Sequence, residues 1–211
     1  MRKILLVLII FYSVININAG KPKIFQGTIV YKNITEKYDV NTVPSKLIYT
    51  IGDKKTINII NVGGQSLKRI FNLEEGNIYS LFDIVNVKIC LKSKIAEYLK
   101  ESDKTINIEY TNEEKEILGY KCKKAIVTYQ TKNGEVKANA YFTEDFGERN
   151  TNIEELNVKG ITLEYEIVYQ GVVYTFSAIN IEIKKYKSKD FNIPSDYEIK
   201  TKEELQQMYG G

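Results

Sequence analysis

Cys90 and Cys122 are the residues whose type and number point most directly to a chemical role. They are the only two cysteines in the chain. In an exported protein, two cysteines without a third favour a single disulfide. The alternative is that Cys90, which follows an apolar stretch, is a buried and unpaired thiol. We predict the Cys90–Cys122 disulfide.

The residue types that are missing exclude many kinds of enzyme. The chain has no histidine, which removes serine–histidine and cysteine–histidine hydrolases and every imidazole acid–base mechanism. Two cysteines are too few for a four-cysteine zinc site, and Asp39, Asp53 and Asp103 lack the spacing of a calcium loop. We therefore predict no metal site and no cofactor.

Carboxylate groups and a glycine pair are the remaining candidates for catalysis. Paired carboxylates can hydrolyse glycosides, but the acidic groups of this chain lie in polar loops or at helix starts, where solvated or capping carboxylates are normal. These groups are Glu113-Glu114-Glu116, Glu144-Asp145 and Glu154-Glu155. Gly63-Gly64 opens no helix, so it indicates a turn and not a phosphate-binding loop. We predict a protein that is not an enzyme.

The first 19 residues have the features of a secretory signal peptide. Arg2 and Lys3 precede an apolar run over 4–17, and Ala19 is a small residue suited to cleavage. The alternative is a membrane anchor, but the run is shorter than the roughly 20 residues that span a bilayer. We predict export to the periplasm, the outer membrane or the exterior. Because no cysteine follows the cleavage point, we do not expect a lipid-modified amino terminus.

Composition and charge describe one globular domain over 20–211. The chain is 43% hydrophobic and 27% charged, which favours a folded chain over a disordered one, and no low-complexity linker divides it. Loss of Arg2 and Lys3 lowers the net charge from +3 to +1. A nearly neutral domain gives little reason to expect a nucleic-acid partner.

Period-two alternation of apolar and polar residues is the dominant pattern, and it is typical of half-buried strands. Two long hairpins are predicted, one over 121–143 with its turn at Asn133-Gly134, and one over 161–186 with its turn at Gln170-Gly171. Further predicted strands are 46–51, 56–62, 67–73, 77–82 and 85–91, one containing Phe25, Ile29 and Tyr31, and one containing Ile106, Ile108 and Tyr110.

Helical patterns are few. Leu91, Ile95, Tyr98 and Leu99 have the spacing of one amphipathic helix over 92–101. Thr151–Glu154 and Thr201–Glu204 resemble capping boxes, the second of which opens a helix over 202–209. About ten strands with one or two short helices predict a mainly β fold with a curved antiparallel sheet.

Several segments, in order along the chain, resemble a known group of proteins. They are Ile117-Leu118-Gly119-Tyr120-Lys121-Cys122-Lys123-Lys124-Ala125 with Tyr141-Phe142-Thr143, then Gly160-Ile161-Thr162-Leu163-Glu164-Tyr165 with Thr162 where proline is usual, then Phe191-Asn192-Ile193-Pro194-Ser195-Asp196-Tyr197 and Met208-Tyr209-Gly210-Gly211. They resemble the GLPGLI-type and related secreted domains of bacteria. Those domains are similar to the periplasmic lipoprotein carriers LolA and LolB, in which an open antiparallel half-barrel is lidded by short helices.

The resemblance implies a concave sheet that holds acyl chains, and so a non-enzymatic carrier of a lipid-like ligand in the cell envelope. The apolar faces of the two long hairpins then predict a ligand-binding wall of Val136, Ala138, Ala140, Phe142, Leu163, Tyr165 and Ile167. The alternative for this face is a filled core. The alternative function is a structural or protein-interaction module of the envelope, which calls for an exposed apolar patch or sheet edge.

Overall fold

The protein is described here by a computed structural model, over residues 24–84, 87–101, 106–131, 134–147 and 158–209. Within these residues the elements are β1 (Gly27–Asn33), β2 (Lys46–Ile51), β3 (Lys55–Val62), β4 (Gln65–Asn72), β5 (Asn77–Ile84), β6 (Val87–Lys94), α1 (Ile95–Glu101), β7 (Ile106–Ile117), β8 (Tyr120–Thr131), β9 (Gly134–Thr143), β10 (Ile161–Tyr169), β11 (Val172–Ile183), a short 3-10 helix (Ser188–Phe191), β12 (Glu198–Thr201) and α2 (Lys202–Tyr209).

The strands of the described residues form one open sheet, in the order β12-β6-β5-β4-β3-β2-β1-β11-β10-β9-β8-β7. It consists of two antiparallel meanders, β1–β6 and β7–β11, that are joined where β1 pairs with β11. The mainly β, antiparallel fold with two short helices is therefore confirmed. The exception to the antiparallel pairing is the four-residue β12, which runs parallel to β6.

Two of the tight turns lie where the sequence predicts them. Gln170 and Gly171 both have positive φ angles, of 51° and 77°, and they connect Tyr169 to its partner Val172. The same geometry at Gly63-Gly64 confirms a turn between β3 and β4. Gly134, predicted as a turn residue with Asn133, is instead the first residue of β9, where it pairs with Thr131. The connection 132–133 lies outside the described residues.

The helix predictions have mixed outcomes. α1 begins at Ile95 and not at 92, because residues 92–94 belong to β6 and pair with β5. The capping box at α2 is confirmed, since the Glu204 N–H donates to Thr201 Oγ1 at 3.3 Å and the Thr201 N–H donates to Glu204 Oε2 at 2.6 Å. The signal peptide over 1–19 and the capping box at Thr151–Glu154 lie outside the described residues.

The sheet has an inner face, which carries Ile29, Tyr49 and Tyr165, and an outer face. Tyr49 Oη and Tyr165 Oη are 3.5 Å apart, although β2 and β10 are separated by three strand spacings of about 4.8 Å. The inner face is therefore concave. An inner cluster of buried side chains fills it from β2 to β8. A smaller outer cluster, which includes Ile57, Leu81 and Cys90, packs under Phe191 of the 3-10 helix.

Candidate functional site

The predicted ligand-binding wall lies on the inner face of β9 and β10, and the register brings its residues together. Ala140 is directly opposite Tyr165 on β10 and Ala125 on β8, and Ala138 is opposite Val127. Leu163 occupies the irregularity in the pairing between Thr162 and Glu164. The alternation in the sequence therefore identified residues that are neighbours in the fold.

The packing of this wall leaves little room beside it. Ala138 is 1% exposed, and Ala140 and Leu163 are 0% exposed, so no water-sized space adjoins these side chains. Tyr165 stacks on Phe176 and meets Tyr31 edge-on, with centroid distances of 5.8 and 5.4 Å. Phe142 is buried against Tyr110, while Val136 and Ile167 pack on the inner cluster. This packing favours the second interpretation of the wall, a filled core.

The two cysteines are free thiols, so the predicted disulfide is wrong. Cys90 on β6 belongs to the outer cluster and Cys122 on β8 to the inner cluster. β5, β4, β3, β2, β1, β11, β10 and β9 lie between their strands in the sheet, whereas a disulfide needs Cα atoms within about 7 Å. The alternative prediction, that Cys90 is a buried and unpaired thiol, is confirmed. Cys122 is also a buried and unpaired thiol.

We expect both thiols to be unreactive in the folded protein. Burial raises the pKa of Cys90 and of Cys122 to about 11, and the thiolate is the reactive form. At about pH 8, a thiol reagent such as Ellman's should detect almost no thiol before unfolding and two per chain afterwards, without any reductant. Fewer than two thiols in the unfolded, unreduced protein would contradict the structure.

A polar row crosses the inner face where it is less completely covered, on β3, β4 and β5. Asn58 on β3 lies directly opposite Arg69 on β4, and Arg69 lies directly opposite Ser80 on β5. Tyr98 of α1 contacts the same place, with its ring centroid 6.0 Å from the guanidinium carbon of Arg69. We call Asn58, Arg69, Ser80 and Tyr98, together with Thr56 on the same face of β3, the Arg69 site.

The Arg69 site contains polar groups that the described residues leave unsatisfied. Asn58 Oδ1 and Thr56 Oγ1 are buried without a hydrogen-bond partner, in side chains only 8% and 3% exposed. Arg69 is half-buried, and no carboxylate of the described residues forms an ion pair with it. A buried polar atom without a partner costs roughly 1–3 kcal/mol, so this arrangement is unfavourable unless another molecule completes it.

Apolar side chains border the polar row on both sides. Phe71 and Ile78 are buried, and Tyr98 of α1 packs edge-on against Phe71. On the other side the inner face is only half-buried, through Ile60, Leu67, Phe82 and Ile89. This part of the inner face therefore combines accessible apolar surface with one cationic group, a combination that suits an amphiphilic molecule.

Two segments of the sequence contain a pattern that indicates this site, although the site was not predicted. Polar residues share a strand face with apolar ones in both segments. On β3 this face carries Thr56, Asn58 and Ile60, and on β4 it carries Leu67, Arg69 and Phe71. Arg69 is also one of only three arginines in a chain whose other basic residues are lysines. The two segments become neighbours only through the β3–β4 register.

A second polar cluster, on β7–β10, is internally neutralised. Lys115 Nζ donates to both carboxylate oxygens of Glu164, at 2.7 and 2.9 Å, and Lys124 Nζ donates to Glu113 at 2.8 Å. The Tyr141 hydroxyl donates to Glu113, and this hydrogen bond raises the pKa of Tyr141 to about 12. The hydrogen bond from Lys124 lowers the pKa of Glu113. Each charge has a partner, which is typical of a structural network.

The acidic groups of the sequence have mixed outcomes, because Glu144-Asp145 lies in a loop as predicted and the first group does not. Glu113, Glu114 and Glu116 belong to strand β7 and not to a loop, where Glu114 pairs with Lys121 at 2.6 Å. Glu144 lies just after β9, 3.6 Å from Lys123. Glu154-Glu155 lies outside the described residues. Among the residues that are described, no cluster of three or more potential ligands could hold a metal ion.

No protein-family model and no curated protein matches the sequence. The resemblance to the GLPGLI-type domains and to the lipoprotein carriers therefore stays a prediction. Neither α1 nor α2, nor any other helix in the described ranges, has the length and apolar character needed to cross a membrane.

Proposed function

We propose that this protein is a non-enzymatic envelope protein that binds an apolar, lipid-like ligand on its concave sheet. The observation that carries the proposal is the inner face of β3–β6, where half-buried apolar side chains surround buried polar atoms without partners. In this proposal the ligand binds on β3–β6, because the residues of β9 and β10 are already packed against their neighbours. Export rests on the signal-peptide features of residues 1–19.

Ile60, Leu67, Phe82 and Ile89, which we call the apolar strip, supply part of the driving force for such a ligand. Each buried CH₂ group contributes about 0.8 kcal/mol, so a chain that buries about eight of them gains roughly 6 kcal/mol before the cost of association. Before that cost, roughly 6 kcal/mol corresponds to a dissociation constant of about 10–100 μM at best, so polar contacts at the head of the ligand must add to the apolar ones. Sites of this kind are mostly apolar and have few polar groups; here the apolar strip supplies the apolar part and the Arg69 site supplies the polar groups.

A fluorescent fatty acid tests the function directly. Protein prepared without detergent should enhance the emission of cis-parinaric acid in a saturable manner, because the strip excludes water from the probe. Leu67→Gln should weaken this binding at least about tenfold, since it places an amide in the strip. Ile183→Gln is the matched control, because Ile183 is 65% exposed at the far end of β11, and it should bind as the parent does.

A second candidate function is a protein-interaction module, and one exposed feature favours it. The tip of the β10–β11 hairpin presents Tyr169, Val172 and Val173, which are each nearly half exposed. Apolar residues exposed together at a hairpin tip suit contact with another protein. If the parent protein binds no fatty acid and the Leu67→Gln variant behaves identically, the carrier function is wrong and this module becomes the better account.

A further inference from the structure

Within the part of the chain that the structure describes, the Arg69 guanidinium has hydrogen-bonding capacity that no other group uses. A guanidinium carries five N–H donors in a planar fork, and the contact with the Tyr98 ring is a cation–π interaction that engages its face. No described carboxylate pairs with it, in contrast to Lys115, Lys124 and Lys88, which each have a carboxylate within 2.8 Å. An unpaired, half-buried cation on a concave surface is complementary to an anion.

The buried atoms around Arg69 show how an anion would be held. Asn58 is directly opposite Arg69, so their Cβ atoms are about 5 Å apart. If the guanidinium turns from Tyr98 toward β3, one N–H can reach the unpartnered Asn58 Oδ1. A parallel pair of N–H groups then remains for a bidentate contact with an oxyanion. Ser80, opposite Arg69 on the other side, adds a hydroxyl donor.

The apolar strip starts next to this point. Leu67 precedes Arg69 by two residues on the same face of β4, a separation of about 6.7 Å. Ile60 is directly opposite Leu67, and Phe82 is directly opposite Ile89. A molecule whose charged end is at Arg69 would therefore lay its chain along these four side chains.

We propose that Arg69 is the headgroup anchor of this protein, and that its ligand is an amphiphile with one apolar chain and an oxyanion head, either a carboxylate or a phosphate. The inference rests on the proposed function and specifies its ligand class. Asn58 positions the guanidinium, and Tyr98 holds it in the unliganded protein.

Competition against cis-parinaric acid tests the anchor, with oleate, oleyl phosphate and oleyl alcohol as competitors that share one chain. The parent protein should bind oleate or oleyl phosphate at least tenfold more tightly than the alcohol, and the stronger of the two identifies the head. Arg69→Met should lower the affinity for that anion by about 10–100-fold, as expected for charge-assisted hydrogen bonds, and leave the affinity for the alcohol unchanged. Arg69→Lys, which keeps the charge but loses the fork, should give an intermediate loss.

Lys68→Met is the matched control, because it removes the same charge one residue away, on the face that carries Leu81. It should not change the affinity for either anion. Asn58→Leu should raise the melting temperature of the free protein, because it removes a buried unpartnered oxygen, and should weaken binding of the anion. A higher melting temperature together with weaker anion binding would identify Asn58 as a positioning residue. A residue that only supports the fold would instead lower the melting temperature when it is replaced.

Several outcomes would overturn the anchor but leave the carrier function standing. They are equal affinity of the parent for oleate, oleyl phosphate and oleyl alcohol, an equal loss for all three in Arg69→Met, or an equal loss in Lys68→Met. If Arg69→Met fails to fold, the salt dependence of the parent decides, because only anion binding to a cation should weaken as ionic strength rises. If the parent binds none of the three, the proposed function and the anchor both fail.

Discussion

Replacing Ala140 with leucine should lower the free energy of unfolding by about 1–3 kcal/mol, the usual cost of inserting extra carbon atoms into a filled core. Ala140 is 0% exposed, and Ala125 and Tyr165 lie directly opposite it on the two neighbouring strands. Tyr165 cannot move aside easily, because Tyr31 and Phe176 both pack against its ring. Ala138→Leu should have a cost in the same range.

Urea denaturation measures this effect, with Lys137→Leu as the control on the same strand. The side chain of Lys137 is 66% exposed, so its replacement should change the free energy of unfolding by less than about 0.5 kcal/mol. If Ala140→Leu kept the stability of the parent and instead lost the bound fatty acid, β9 and β10 would be the ligand-binding wall after all.

The neighbours on β9 and β10 could be predicted from sequence, but the space beside them could not. Alternation along a strand depends on local backbone geometry, so it placed Ala138 and Ala140 on the same face. Whether small side chains leave a cavity depends on what lies across from them. Here Tyr165, which lies opposite Ala140, is packed between Tyr31 of β1 and Phe176 of β11, and both of these residues are distant in sequence.

Strand order explains the other differences between prediction and structure. Two cysteines in one chain suggest a disulfide only if the fold brings them together, and the order of the sheet separates β6 from β8. The Arg69 site also depends on the order and register of the strands, because pairing of β3, β4 and β5 is what places Asn58, Arg69 and Ser80 side by side. Their individual positions within β3, β4 and β5 follow from alternation alone.

Replacing Lys115 with methionine should destabilise the protein by about 1–3 kcal/mol, because it strips the cation from a carboxylate that the sheet buries. The side chain of Glu164 is only 9% exposed, and Lys115 donates to both of its oxygens. Removing one partner of a fully buried pair costs about 3–5 kcal/mol. The expected value is smaller here because the side chain of Lys115 is 44% exposed and water screens the charge.

A double-mutant cycle separates this ion pair from the loss of packing. The double variant Lys115→Met/Glu164→Met removes both charges, so it should be more stable than the two single losses added together, by about 1–2 kcal/mol. The exposed pair Lys54–Glu74, at 3.1 Å with both side chains more than half exposed, is the control, and its coupling should stay below about 0.5 kcal/mol. Equal coupling energies for the two pairs would show that burial of Glu164 adds nothing, and the network on β7–β10 would then be an ordinary set of surface ion pairs.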